Sequence, residues 1–182
     1  MGKRFSKHAG NLHYKAGGTS VELTPHTGII GIDTGKLSGK AGASIWSSLK
    51  NESISVGRGI ALVSVKEISN EQERKLRALK AFLPVFESGS AVLVPLPEVR
   101  VEGPTGTDVG KAMTQARRWL QGHSDRFKII DDGAERLVVE PASGRGEDAV
   151  LLADEISDNV SRVTATPRFI RWTQRPKRVA QA

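Results

Sequence analysis

Apolar positions recur along this chain in two rhythms, and together they predict an α+β fold with a mainly antiparallel sheet and two principal helices. The helical rhythm is clearest at Leu76, Leu79 and Leu83, which mark one face of a helix over about 70–83. Ser69 with Gln72, or Asn70 with Glu73, supplies a capping box at its start, and Pro84 closes it. Glu71 with Lys75 and Glu73 with Arg77 are favourable pairs one turn apart on its wet faces. A second helix is predicted over about 108–121, with Val109, Met113, Ala116 and Leu120 in one narrow stripe. Thr107 is its candidate cap and Gly122 its stop, while Lys111 and Arg118 point away from the stripe.

The other rhythm is short and strand-like. "SVEL" and "GIIGID" flank a turn at 24–28, and "ESISV" and "GIALVSV" flank Gly57-Arg58-Gly59 as a hairpin. "AVLVPL" and "EVRVE" read as further strands, with Pro95 and Pro97 confining their ladders to an edge or a break. "RFKIID" and "ERLVVE" surround Asp132-Gly133, a pair that supplies the positive φ angles of a tight hairpin turn. "SRVTA" and "RFIRWT" complete the strands. Between these elements, "TGKLSGKAGAS" reads as a flexible glycine-rich connection, "SIWSSLK" as a short helix or turn, and "PASGRGED" as a loop. "AVLLADEI" fits a buried strand or a short helix equally well. Residues 1–19 have no periodicity and read as a basic arm. The expected organisation is that arm, one α+β domain over 20–173, and a basic tail over 174–182.

Composition narrows the classes. A chain of 182 residues can bury a full core, and with no cysteine it needs neither a disulfide nor a thiolate metal site. No apolar run reaches the roughly 18 residues of a membrane span. No apolar segment follows the basic N-terminus, so the expected compartment is cytoplasmic.

Charge changes the picture more. The formal charge is +7, and it is segregated. From Arg162 onward there are bases and no acid, whereas 131–158 holds nine carboxylates against only Arg136 and Arg145. Basic blocks flanking an acidic one suggest a polyanionic partner, or acidic and basic segments that pair within the fold.

Candidate chemistry is sparse. "GIDTGKL" and "GTDVGKA" each fall one residue short of a phosphate-binding loop, and Leu37 and Ala112 replace its metal-binding hydroxyl. Ordinary turns account for both. His8, His13 and His26, with neighbouring lysines, offer the residue types for metal-free phosphodiester cleavage, although exposed histidines of a basic arm are the simpler account. The acids show no spacing that converges on a metal, and no cofactor signature is present.

Three clusters place cations beside aromatics, as a polymer of phosphates and flat bases requires. The first is Lys3, Arg4, Lys7 and Lys15 with Phe5 and Tyr14. The second is Arg117 and Arg118 with Arg126 and Lys128, around Trp119 and Phe127. The third is Arg168, Arg171, Arg175, Lys177 and Arg178 with Phe169 and Trp172. Phe169 and Trp172 would lie on opposite faces of one strand, so at least one should pack inward. The sequence therefore leads to a non-enzymatic nucleic-acid-binding protein, DNA and RNA undistinguished. A metal-independent nuclease using the N-terminal histidines is one alternative. A protein-binding assembly or inhibitory protein, using the acidic 131–158 segment, is another. Everything in the leading reading depends on terminal positive charge gathering on one surface, unquenched by carboxylates.

Overall fold

The computed structural model describes residues 12–16, 18–106 and 108–173. They form an α+β fold of eleven strands and four α-helices, and every strand pairing is antiparallel. The chain opens with β1 (Leu12–Ala16) and β2 (Thr19–Pro25), then builds β3 (Ile29–Asp33), α1 (Gly39–Leu49), β4 (Ser53–Gly57) and β5 (Ile60–Ser64). Next come α2 (Asn70–Ala78), β6 (Phe82–Leu83), β7 (Phe86–Ser88) and β8 (Ala91–Glu102). It finishes with α3 (Val109–Gln121), β9 (Phe127–Asp132), β10 (Arg136–Pro141), α4 (Gly146–Asn159) and β11 (Thr164–Trp172).

Two sheets result. The smaller runs β4-β5-β3-β6, and the larger runs β1-β2-β7-β8-β10-β9 with β11 on the other edge of β8. The strand β8 organises the larger one. Its Ala91, Leu93, Val99 and Val101 face α3 and α4, while Val94 and Leu96 on the opposite face pack on Ile60 and Leu62 of the smaller sheet. The smaller sheet in turn buries Ile30, Ile32 and Val63 against Ile45 and Leu49 of α1 and Leu76 of α2. Helices thus cover the outer faces and two sheets meet in the middle.

Several expectations are met. The capping box forms: Gln72 N–H donates to Ser69 Oγ at 3.2 Å, and Ser69 N–H donates to Gln72 Oε1 at 2.8 Å. Both charge pairs on α2 form as well. On α3, Met113, Ala116 and Leu120 are buried and Val109 is partly so. The predicted Thr107 cap lies outside the described residues.

The differences have physical causes. The helix expected over 70–83 stops at Ala78, because Lys80 adopts a left-handed φ of 55° and Ala81 N–H donates back to Leu76 O at 2.8 Å. Leu83 then lies in β6, not on a helix. The glycine-rich connection is most of α1. There, the Leu37 backbone lies 2.4–2.7 Å from where a Cβ on Gly42 would be, so glycine serves close approach and not flexibility. The ambiguous "AVLLADEI" belongs to α4, with Ala149, Leu152, Ala153 and Ile156 at helical spacing on its buried face. Residues 12–16, expected within an irregular arm, form β1 with Leu12 and Tyr14 turned toward the core.

The two prolines do not end a strand. β7 covers the start of β8, β10 covers its end, and β11 shifts register between Pro167 and Phe169. On one edge β8 is left uncovered between β7 and β10, where both prolines lie; on the other, β11 still pairs Phe169 with Pro95, and its ladder breaks at Pro97, where an amide hydrogen is missing.

Candidate functional site

Of the 27 lysines and arginines, 21 are among the described residues, together with all 20 aspartates and glutamates. The described residues are thus close to neutral in sum, and the surplus charge resides on Lys3, Arg4, Lys7, Arg175, Lys177 and Arg178, which lie outside them.

Within the body, most candidate cations are already engaged. Lys15 pairs with Asp158 near the end of α4. Arg117 donates from Nε and Nη2 to Asp132 Oδ1 at 2.9 and 2.8 Å, and from Nη2 to Gly133 O at 2.6 Å. Arg168 donates to Glu98 Oε2 at 2.6 Å, and Arg58 approaches Oε1 of the same carboxylate at 3.4 Å. Six of the nine acids in 131–158 hold a lysine or arginine, among them Glu155 with Arg126 and Glu140 with Lys128. Pairing between acidic and basic segments is therefore a large part of what their charges do. Arg118 and Arg171 are exposed, with no carboxylate partner among the described residues.

The aromatics also have structural places. Trp119 stacks on Phe127 with ring centres 5.9 Å apart and packs on the α3–α4 core. Phe169 packs on Tyr14, at 5.2 Å, on the helical side of the sheet, while Trp172 joins the cluster between the sheets. The two do lie on opposite faces of β11, and both pack.

The register brings the described ends of two of the three clusters, Leu12 of β1 and Trp172 of β11, to one end of the sheet. Leu12 pairs with Leu23, the adjoining Thr24 with Glu87, Glu87 with Val92, and Val92 with Trp172. The chain therefore enters β1 and leaves β11 at the same end of the sheet, on its two outer strands. Contact between the Tyr14 and Phe169 rings shows those strands curling toward each other. Exposed Arg171 lies beside this end, and Glu87 is the acid of that row. The Arg117/Arg118 cluster is elsewhere, because α3 packs on the opposite half of β8 through Val99 and Val101. There Lys111, Thr114, Gln115 and Arg118 line one acid-free face of the helix.

The histidines do not assemble. His13 is exposed on β1 opposite Glu22, and His26 follows the end of β2, four residues and roughly 13 Å further along the strand. His8 lies outside the described residues. The fourth histidine, His123, lies just past the end of α3, with Nδ1 2.8 Å from Trp119 O. Among the described residues no group of three or more histidines, aspartates or glutamates is arranged to hold a metal, and no helix is long and apolar enough to cross a membrane.

One feature has no counterpart in the sequence pattern. Between the sheets, where β8 passes from β7 to β10, lies a cleft of about 950 Å³. Pro95, Leu96 and Pro97 line it from β8, and Phe82, Leu83 and Pro84 from the smaller sheet. Lys36, Arg58, Arg77, Lys80 and Arg145 stand around it with Asp33, Glu98 and Glu147. These residues come from strands, helices and turns scattered from Asp33 to Glu147, so no spacing announces them. No protein-family model, curated protein sequence or solved structure matches the chain.

Proposed function

We propose that the protein binds nucleic acid without cleaving it, through cations of its two terminal segments. The carrying observation is that both segments attach at one end of the large sheet, on strands whose aromatic rings touch. In sequence those two segments carry six cations and no acid, and exposed Arg171 stands at the same end of the sheet. A phosphate polymer gains from such a cluster by counterion release, which is insensitive to base sequence. Lys15, Arg117 and Arg168 are given a smaller share than the sequence assigns them, since each would have to leave a carboxylate to meet a phosphate. Trp172 contributes packing between the sheets in place of base stacking.

The test is the salt dependence of binding to single-stranded RNA and to duplex DNA. Reversing Arg171, Arg175, Lys177 and Arg178 to glutamate should reduce the log–log slope by up to about 3–4, at roughly 0.9 for each phosphate no longer neutralised. An unchanged slope would reject this surface. Reversing Arg117 should change the slope little.

A further inference from the structure

We propose that the cleft between the two sheets is a binding site for a small organic anion with an apolar body. This is separate from nucleic-acid binding and does not rest on it. The volume of about 950 Å³ is at the upper end of ordinary small-molecule sites, roughly 300–1,000 Å³. Its walls are proline and aliphatic side chains with the Phe82 ring, one face of which lies under the Arg77 guanidinium at 3.7 Å. An inorganic ion would leave those walls wet, so the ligand must bring apolar surface of its own.

Its charge follows from which groups are already satisfied. Arg58 is paired with Glu98, Arg145 with Glu147, and Arg77 with Glu73. Asp33 accepts the Gly35 N–H at 3.0 Å. Every carboxylate at the cleft is thus engaged, whereas Lys36 and Lys80 have no carboxylate partner among the described residues. His26 accepts the Gly28 N–H at Nδ1, 3.1 Å away, which leaves Nε2–H as a further donor at the wall. An acid group on the ligand complements this set.

Backbone conformation points the same way. Only three described non-glycine residues have positive φ, namely Arg58 at 53°, Lys80 at 55° and Arg162 at 64°. Two of the three are cations of this cleft. At a helix C-terminus such as that after α2, glycine is the favoured left-handed residue. Holding lysine there costs stability, and local strain of this kind is characteristic of sites that need a particular side chain.

The experiment uses two fluorescent probes that share a body and differ in charge: anilinonaphthalene sulfonate and uncharged phenylnaphthylamine. The native full-length chain should bind the sulfonate about tenfold more tightly, the value of one charge-assisted contact. Amide shifts should centre on Lys80, Phe82 and Gly144. The double variant Lys36→Glu/Lys80→Glu should still bind the uncharged probe but lose the preference. Should that variant melt early, Lys36→Ala/Lys80→Ala tests the same preference. Lys80→Gly should melt about 2–4 °C higher while binding the sulfonate more weakly, an opposition that a purely structural lysine would not produce. Equal affinity for the two probes, failure of both to bind, shifts centred elsewhere, or a preference that survives both double variants overturns the proposal.

Discussion

Arg126 meets Glu155 through both ends of its fork, Nη1 to Oε1 and Nη2 to Oε2 at 2.7 Å each, and so ties the segment before β9 to α4. This hydrogen-bonded guanidinium holds the Glu155 carboxyl below its ordinary value of 4.5, against a smaller opposing effect of burial. A carboxylate whose folded-state value is depressed adds stability above its unfolded value, and that increment vanishes as pH falls through the folded one. Glu155→Gln should therefore be less stable than the parent at pH 6–7, and the gap should narrow below about 4.5. Urea titrations at a series of pH values measure this directly. A gap that stays constant down to pH 3 would mean that the carboxylate's charge is not what the pair contributes. At this scale the sequence was least informative. It marked Arg126 only as one of four cations around Trp119 and Phe127, and gave no sign that its partner stands 29 positions away.

Elements were legible where periodicity alone builds them. α3 and the start of α2 follow from apolar spacing and capping chemistry, and the hairpin β4–β5 from Gly57-Arg58-Gly59, all at positive φ. The β9–β10 hairpin forms where expected but not through the expected turn: neither Asp132 nor Gly133 has a positive φ, Asp132 still pairs with Leu137 as the last residue of β9, and Gly133 N–H donates to Arg136 O. α1 and the beginning of α4 were obscured by glycine, whose usual message is flexibility. In both helices glycine instead allows backbone to touch backbone, a tertiary fact with no local signature. At Gly146 a Cβ would lie 2.0 Å from Pro95 O, a backbone atom of the central strand β8. Ahead of this clash, alanine offers at most about 1 kcal/mol of helix propensity. Overpacking of this severity costs about 3 kcal/mol or more, so Gly146→Ala should be strongly destabilising. A calorimetric melt of the purified variant checks it. A neutral result would mean that α4 can pivot off β8.

For the whole molecule, the sum of charge was legible and its distribution only partly so. The acidic 131–158 segment consumes cations that looked available, and the excess of bases over acids in the sequence falls almost wholly outside the described residues. The cleft was illegible because it exists only after two sheets have met. That meeting also makes the stability of the two sheets a joint property. Leu62, 2 % exposed on β5, packs with Val94 and Ile170 of the larger sheet. Leu62→Ala should cost about 2–5 kcal/mol. Hydrogen exchange should then quicken in β8 and β11 as well as in β3–β5. Acceleration confined to the smaller sheet would show that the two open independently.

His26 N–H donates to Val85 O at 2.8 Å, so everything from β3 to β6 departs and returns at a single point between β2 and β7. That segment is topologically a graft, removable by joining its two stumps with a tight turn. What remained would keep its hairpins and both outer helices. It would also present Val94, Leu96 and Ile170 to water as a bare sticky panel, and the trimmed protein would trade a folded neighbour for self-association.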